Sequence, residues 1–292
     1  NLQATLKQMR RESARKYLKQ SASTLLARNP QMCCYSFDAI GVDINIDGRC
    51  DAPALRLLLE MLDLRGRNVV DVGANIGNHA AAFAEVAGHV FAFEPHPKTY
   101  QLLKLNLSDF PNVKTFQIAA SDKAGSVRAV SPRQNFGATT ITDRPLGENE
   151  TAWSFDIAPL DSVTELQDIA LIKFDVEGHE AQALRGAENL IRRDKPVIIV
   201  EQNREAIAGG SSETVEVLKR SGYSHFYSID TDLPWRTPQG LPGPVRKMAR
   251  MTEAILFGPV EWTAHFSLVE KLEPRDYPML VASTTALTRR AQ

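Results

Sequence analysis

The chain has 292 residues, 43% of them hydrophobic, and a formal net charge of −1. This is apolar material enough for one large α/β domain or two small ones, and the near-neutral balance supplies no field that would gather nucleic acid. Cys33, Cys34 and Cys50 fit neither a zinc spacing nor an even disulfide framework, so reduced thiols in a cytoplasmic protein are expected. No apolar run approaches the roughly 20 residues that span a bilayer, and no signal-peptide pattern is present.

Residues 1–52 are read as an N-terminal helix and strand-like extension. Leu2, Leu6, Met9, Tyr17, Leu18, Leu25 and Leu26 form a broken helical stripe, flanked by seven basic residues against Glu12 alone. Such a helix either contacts a membrane surface or a partner, or packs by one edge on the domain or as a homodimer arm. Residues 53–292 are read as the main domain, with a recognisable core over 67–230. Pro53 opens a helix, "PALRLLLEMLDL". Strand-like runs then alternate with helical patterns: "NVVDVG", "HVFAFEP", "VKTFQIAAS", "LIKFDVEG", "KPVIIVEQ" and "YSHFYSI", with helices over 77–87, 97–109, 179–193 and 212–221. That rhythm predicts parallel βαβ units. Residues 121–160 break it with short alternating pieces, a β-rich insertion after the third strand. Residues 231–276 are rich in Pro and Gly and are read as a loop or lid, and "YPMLVAST" as a last strand.

The strands end in acids: Asp71, Glu94, Asp175 with Glu177, and Glu201. Strands of a covered parallel sheet should be apolar on both faces, and carboxylates there are costly unless paired or at work. The ligand crevice of an open α/β sheet lies at the carboxyl ends of its strands, so these acids define one edge as a polar site. Gly73 and Gly77 are spaced G-x-x-x-G, which is not the dinucleotide fingerprint, and no Walker phosphate loop is present. An acid before the glycine turn suits a cofactor with a cationic end. An acid about twenty residues on suits ribose hydroxyls. S-adenosyl-L-methionine, with an ammonium, a sulfonium and no pyrophosphate, has that shape.

Together "VVDVGANIGNHAAAFA", "VFAFEPHPKTYQLLKLNL", "AASDKAG" and "IKFDVEGHEAQALRGA…KPVIIVE" resemble the FkbM-type methyltransferases over roughly residues 67–203. The resemblance implies an α/β fold with a Rossmann-like seven-stranded methyltransferase sheet, here with an N-terminal helical extension and a β-rich insertion. It also implies S-adenosyl-L-methionine as donor and O-methylation of a hydroxyl on a sugar, glycolipid or natural product. Past residue 230 it carries no motif, so the acceptor is not indicated.

On this reading Asp71, Gly73, Ala74, Asn75 and Gly77 surround the methionine end of the cofactor, with Asn78 and His79 at the helix start, where N–H groups face an anion. Glu94, followed by Pro95, grips the ribose, and Ser121 and Asp122 lie near the adenine. His96 is expected to be a surface residue at a helix start. Lys173 is expected to neutralise the acids beside it, and Glu177 to tie down the following turn or touch the acceptor. Asn135, Thr139 and Thr140 are expected to line the acceptor pocket. A hydroxyl is a poor nucleophile until its proton is taken. Asp175, His179 and Glu201 are the candidates, and no metal is expected. The alternatives are a domain that binds S-adenosylmethionine without catalysis, or a nicotinamide oxidoreductase, which the glycine spacing disfavours.

Overall fold

The computed structural model describes residues 32–34, 40, 44, 49–132, 135–232, 245, 248–249, 252, 256 and 263–288. The expected N-terminal helix and most of the expected lid lie outside them. The elements run α1 (Ala52–Met61), β1 (Asn68–Val72), α2 (Asn78–Ala84), β2 (His89–Phe93), α3 (Pro97–Asn106), β3 (Val113–Phe116), β4 (Ala119–Ala120), β5 (Gly125–Pro132), β6 (Thr140–Ile141), β7 (Glu150–Ala158), β8 (Ile169–Phe174), α4 (Glu180–Arg185), α5 (Glu188–Asp194), β9 (Val197–Gln202), α6 (Glu213–Arg220), β10 (His225–Asp232), β11 (Thr263–Leu268) and β12 (Tyr277–Ser283).

The main sheet has the order β11-β10-β12-β9-β8-β1-β2-β3. Strands β3, β2, β1, β8 and β9 are parallel, and β12 runs antiparallel between β9 and β10. This is the expected Rossmann-like α/β sheet with one strand more than the seven expected. The eighth, β11, comes from the stretch read as a lid and pairs antiparallel with β10 at the edge. Its Phe266 stacks on Tyr227 with ring centroids 4.5 Å apart. Pro- and Gly-rich composition before it hid a strand whose partner is far away in sequence.

Alternation along the strands sorts the core into two layers. Val70, Val72, Ile172, Phe174, Ile198 and Val200 pack with α4, α5 and α6, while Val69, Leu171 and Ile199 pack with α1, α2 and α3. Asp71 and Lys173 share the second face and are register partners on β1 and β8. A second, four-stranded sheet, β4-β7-β5-β6, is the insertion expected over 121–160. It is anchored on the start of α3 by His96, whose ring lies 4.7 Å from Phe136 and 4.3 Å from Trp153. His96 does begin the helix, its Nδ1 accepting from the backbone N–H of Thr99. It is only 1% exposed, however, not a surface residue. The insertion covers it.

Candidate active site

Two turns at adjacent strand ends build the site. After β1, Gly73 (φ 77°), Asn75 (φ 51°) and Gly77 (φ 95°) are left-handed, and the N–H groups of Gly73 and Ala74 both donate to the Phe93 carbonyl of β2. A Cβ on Gly73 would come within 1.8 Å of the Asp175 carbonyl oxygen, so only glycine lets the two turns meet. After β8 the chain leaves the sheet at Phe174 and turns left-handed at Glu177 (φ 52°) and Gly178 (φ 91°). The expectation that Glu177 ties this turn down is corrected. Glu180 does so, its Oε1 accepting from the N–H groups of Val176 (3.2 Å) and Gly178 (3.1 Å).

A cavity of about 280 Å³ opens at these ends. Of the residues singled out from the sequence, Gly73, Asn75, His79, Glu94, Pro95, Asn135, Thr139, Asp175, Glu177, His179 and Glu201 line it. Asp71 lies beneath it, fully buried. Ala74 is in the core, Gly77 packs on Leu103 and Leu107, and Thr140 is exposed on β6. Asn78 is buried and clamps Cys50, accepting from its N–H and donating to its carbonyl. Ser121 and Asp122 sit just outside the lining, and the Ser121 hydroxyl is 3.0 Å from His179 Nε2. Phe136 and Phe155 from the insertion and Asp51 from the N-terminal side complete the walls. Sequence reasoning passed over Asp51 because an acid ahead of a helix-opening proline reads as an ordinary cap.

Charge in the site is concentrated. Lys173, 5% exposed, bonds Asp175 Oδ2 at 2.9 Å and lies 3.6 Å from Asp71 Oδ1. The ammonium thus offsets the charge of both acids, although among the described residues neither buried Asp71 oxygen has a hydrogen-bond partner. Glu201 hydrogen-bonds Asp175, and burial followed by the Asp175 charge pushes its carboxyl up to about 9, while Asp175 is held low by Lys173 against the cost of its own burial. Within the pair, burial and the neighbouring charge disfavour ionised Glu201, while Lys173 favours the charge on Asp175. Glu94 accepts from the N–H groups of Asn75 (3.0 Å) and His96 (2.8 Å), yet burial still raises it to about 7. Burial also raises Glu177 to about 7 and lowers the His179 imidazole.

The residues fit a cationic, ribose-bearing cofactor. Asn75 lines the cavity with its Oδ1 buried and without a hydrogen-bond partner among the described residues, an acceptor waiting for a donor. Glu94 lines the same cavity, and each of its oxygens accepts one of the two hydrogen bonds from Asn75 and His96, which leaves acceptor capacity for hydroxyls. Residues 71–224 match the methyltransferase FkbM domain. The chain belongs to the FkbM methyltransferase domain family. The donor of this methyltransferase family is S-adenosyl-L-methionine.

The family member is 31% identical over 159 residues to the hexuronic acid methyltransferase AglP of Haloferax volcanii, a match spanning 52% of this chain and 63% of that protein. Among solved structures it is similar to the methyltransferase FkbM of Methylobacillus flagellatus (14% identity, TM-score 0.43, 91% of this chain and 59% of that one). It is also similar to an S-adenosylmethionine-dependent O-methyltransferase of Thermotoga maritima (14% identity, TM-score 0.41, 87% and 72%). No helix among the described residues is long and apolar enough to cross a membrane.

Proposed function

We propose that this chain is an O-methyltransferase that carries the methyl group of S-adenosylmethionine to a hydroxyl of a sugar, or of a glycolipid or natural product that bears one. The observation that carries the reading is the convergence of Glu94, Asp175, Glu177 and Glu201 and a left-handed glycine turn on one cavity. The relative from Haloferax, named for hexuronic acid, supports the sugar. Among the described residues Cys33, Cys34 and Cys50 form no disulfide, in keeping with a cytoplasmic enzyme.

When bound, the donor supplies a methyl group already activated on a sulfonium, so the protein's task is alignment and proton handling. Asn75 and the turn around Gly73 would hold its methionine end, Glu94 its ribose, and Ser121 and Asp122 would stand near its adenine. Asp175 is the group that would meet the acceptor hydroxyl. Lys173 keeps it ionised, and an ionised carboxylate accepts the hydroxyl's hydrogen bond and orients its lone pair. Glu201, protonated, donates to Asp175 and fixes its direction. Asn135 and Thr139, reaching over from the insertion, would contact the rest of the acceptor, with Phe136 and Phe155 as apolar faces for a sugar ring.

Titration calorimetry with S-adenosylhomocysteine tests the cofactor. Folded Glu94→Ala should bind at least tenfold more weakly, about 1.4 kcal/mol or more. Unchanged affinity in that variant, or preferential binding of NAD, would refute the assignment.

A further inference from the structure

The carboxylates leave one problem open. Burial and the Asp175 charge push Glu201 toward its protonated form, and Lys173, 2.9 Å from Asp175, holds that carboxylate low and makes it a weak base. His179 is engaged by Ser121. We propose that His79, backed by Asp51, is the general base that takes the acceptor hydroxyl's proton. The proposal rests on the methyl-transfer reading above.

Four observations carry it. His79 and Asp51 both line the cavity in which Asp175 stands. The His79 side chain is 11% exposed, and its Nε2 lies 3.3 Å from Asp51 Oδ2. Asp51 occupies the cap position of α1 but makes no side-chain cap bond, and its backbone is left-handed at φ 56°. An Asp at that position ordinarily accepts from the helix N–H groups; here the carboxylate is given to the imidazole instead. Finally, Asn78, the residue before His79, holds both backbone groups of Cys50, the residue before Asp51. A buried amide thus fixes the two partners opposite each other.

A carboxylate on Nε2 selects the tautomer with its proton there and leaves Nδ1 as the basic nitrogen. Among the described residues no hydrogen bond engages Nδ1. In the reaction the acceptor oxygen bonds the methyl carbon, the carbon–sulfur electron pair stays on sulfur, and the hydroxyl proton moves to Nδ1. Positive charge passes from sulfonium to imidazolium, where Asp51 meets it directly and Asp175 stands close by. Lys173 is the cation on the far side, facing Asp51 and Asp175.

The test combines tautomer, affinity and rate. In ¹⁵N-histidine-labelled protein saturated with S-adenosylhomocysteine, His79 should be the Nε2–H tautomer, and Asp51→Asn should disturb it. His79→Gln should bind S-adenosylhomocysteine within about threefold of wild type. With labelled donor and a panel of methyl hexosides and methyl hexuronosides, it should turn over roughly a hundredfold or more slowly and lose the acidic limb of the wild-type kcat/KM profile. A merely structural clamp shares the tautomer but leaves the acidic limb in place. An Nδ1–H tautomer, unchanged turnover, or a tenfold loss of S-adenosylhomocysteine affinity on His79→Gln would each overturn the proposal, the last by assigning His79 to the cofactor. If wild-type protein binds S-adenosylhomocysteine but methylates no glycoside, the sugar-hydroxyl reading falls and the base with it. Wild-type protein that does not bind S-adenosylhomocysteine refutes the methyl-transfer reading itself, and the base falls with it.

Discussion

Strands β1 and β8 lie side by side, and each runs into a left-handed turn facing the cavity, one formed by Gly73, Asn75 and Gly77, the other by Glu177 and Gly178. Each also carries an aspartate near its end, and one lysine serves both. Asp71 is still inside its strand, 0% exposed, 3.6 Å from Lys173. Asp175 is one residue past its strand, with 35% of its side chain exposed and 2.9 Å from the same ammonium. The difference is position relative to the last strand residue. A carboxylate within the ladder is a countercharge for the core, and one just beyond it is open to a ligand. The first turn offers backbone and an amide; the second offers charge.

Gly73→Ala should have the largest effect on the two turns, because the added Cβ would strike the Asp175 carbonyl at 1.8 Å and force both apart. Denaturant unfolding should show a loss of more than about 3 kcal/mol. Gly178→Ala, with nothing within 4 Å of its Cβ, should cost only about 1 kcal/mol for its backbone conformation. Equal losses would mean that the close approach of the two turns is not what holds them.

Asp175→Asn separates the turns by function. Donor affinity should stay nearly intact while turnover falls by roughly a hundredfold or more. The melting temperature tells a chemical role from a structural one, since normal turnover by stable protein would remove Asp175 from the chemistry.

The smallest effect concerns the proton stored at the second turn. Burial and the Asp175 charge raise Glu201 from 4.5 to about 9. The folded protein therefore holds a proton that the unfolded chain has released. Its contribution to stability is fully present below about pH 4.5 and is lost as pH rises through about 9. Glu94 and Glu177, raised to about 7, act in the lower part of that window. Between pH 7 and 9 the wild-type melting temperature should fall by a few degrees, and Glu201→Gln should flatten the fall by about that amount. A slope unaltered in the variant would place the proton elsewhere.

Much of this was legible beforehand because it is local. The parallel strands announced themselves as apolar runs, and acids at their ends stood out against them. The insertion showed as short alternating pieces between turns. What escaped depended on partners distant in the chain. His96 looks like a polar helix start until the rings of Phe136 and Trp153 close over it. Glu180 lies in an ordinary helical stretch, and only the left-handed turn before it brings Val176 and Gly178 N–H onto its carboxylate. The strand β11 has no signal of its own beyond a short run whose partner, β10, lies across more than thirty residues.

The α/β rhythm, the glycine turn and the strand-end acids are written in the amino-acid order, because hydrophobic periodicity and backbone freedom are properties of neighbouring residues. Which acid is a buried countercharge and which is open, that burial raises Glu201 while Lys173 holds Asp175 low, and that Asp51 faces His79 all arise in the folded protein. Those outcomes depend on desolvation and on charges a few ångströms apart in space, and neither is encoded by spacing along the chain.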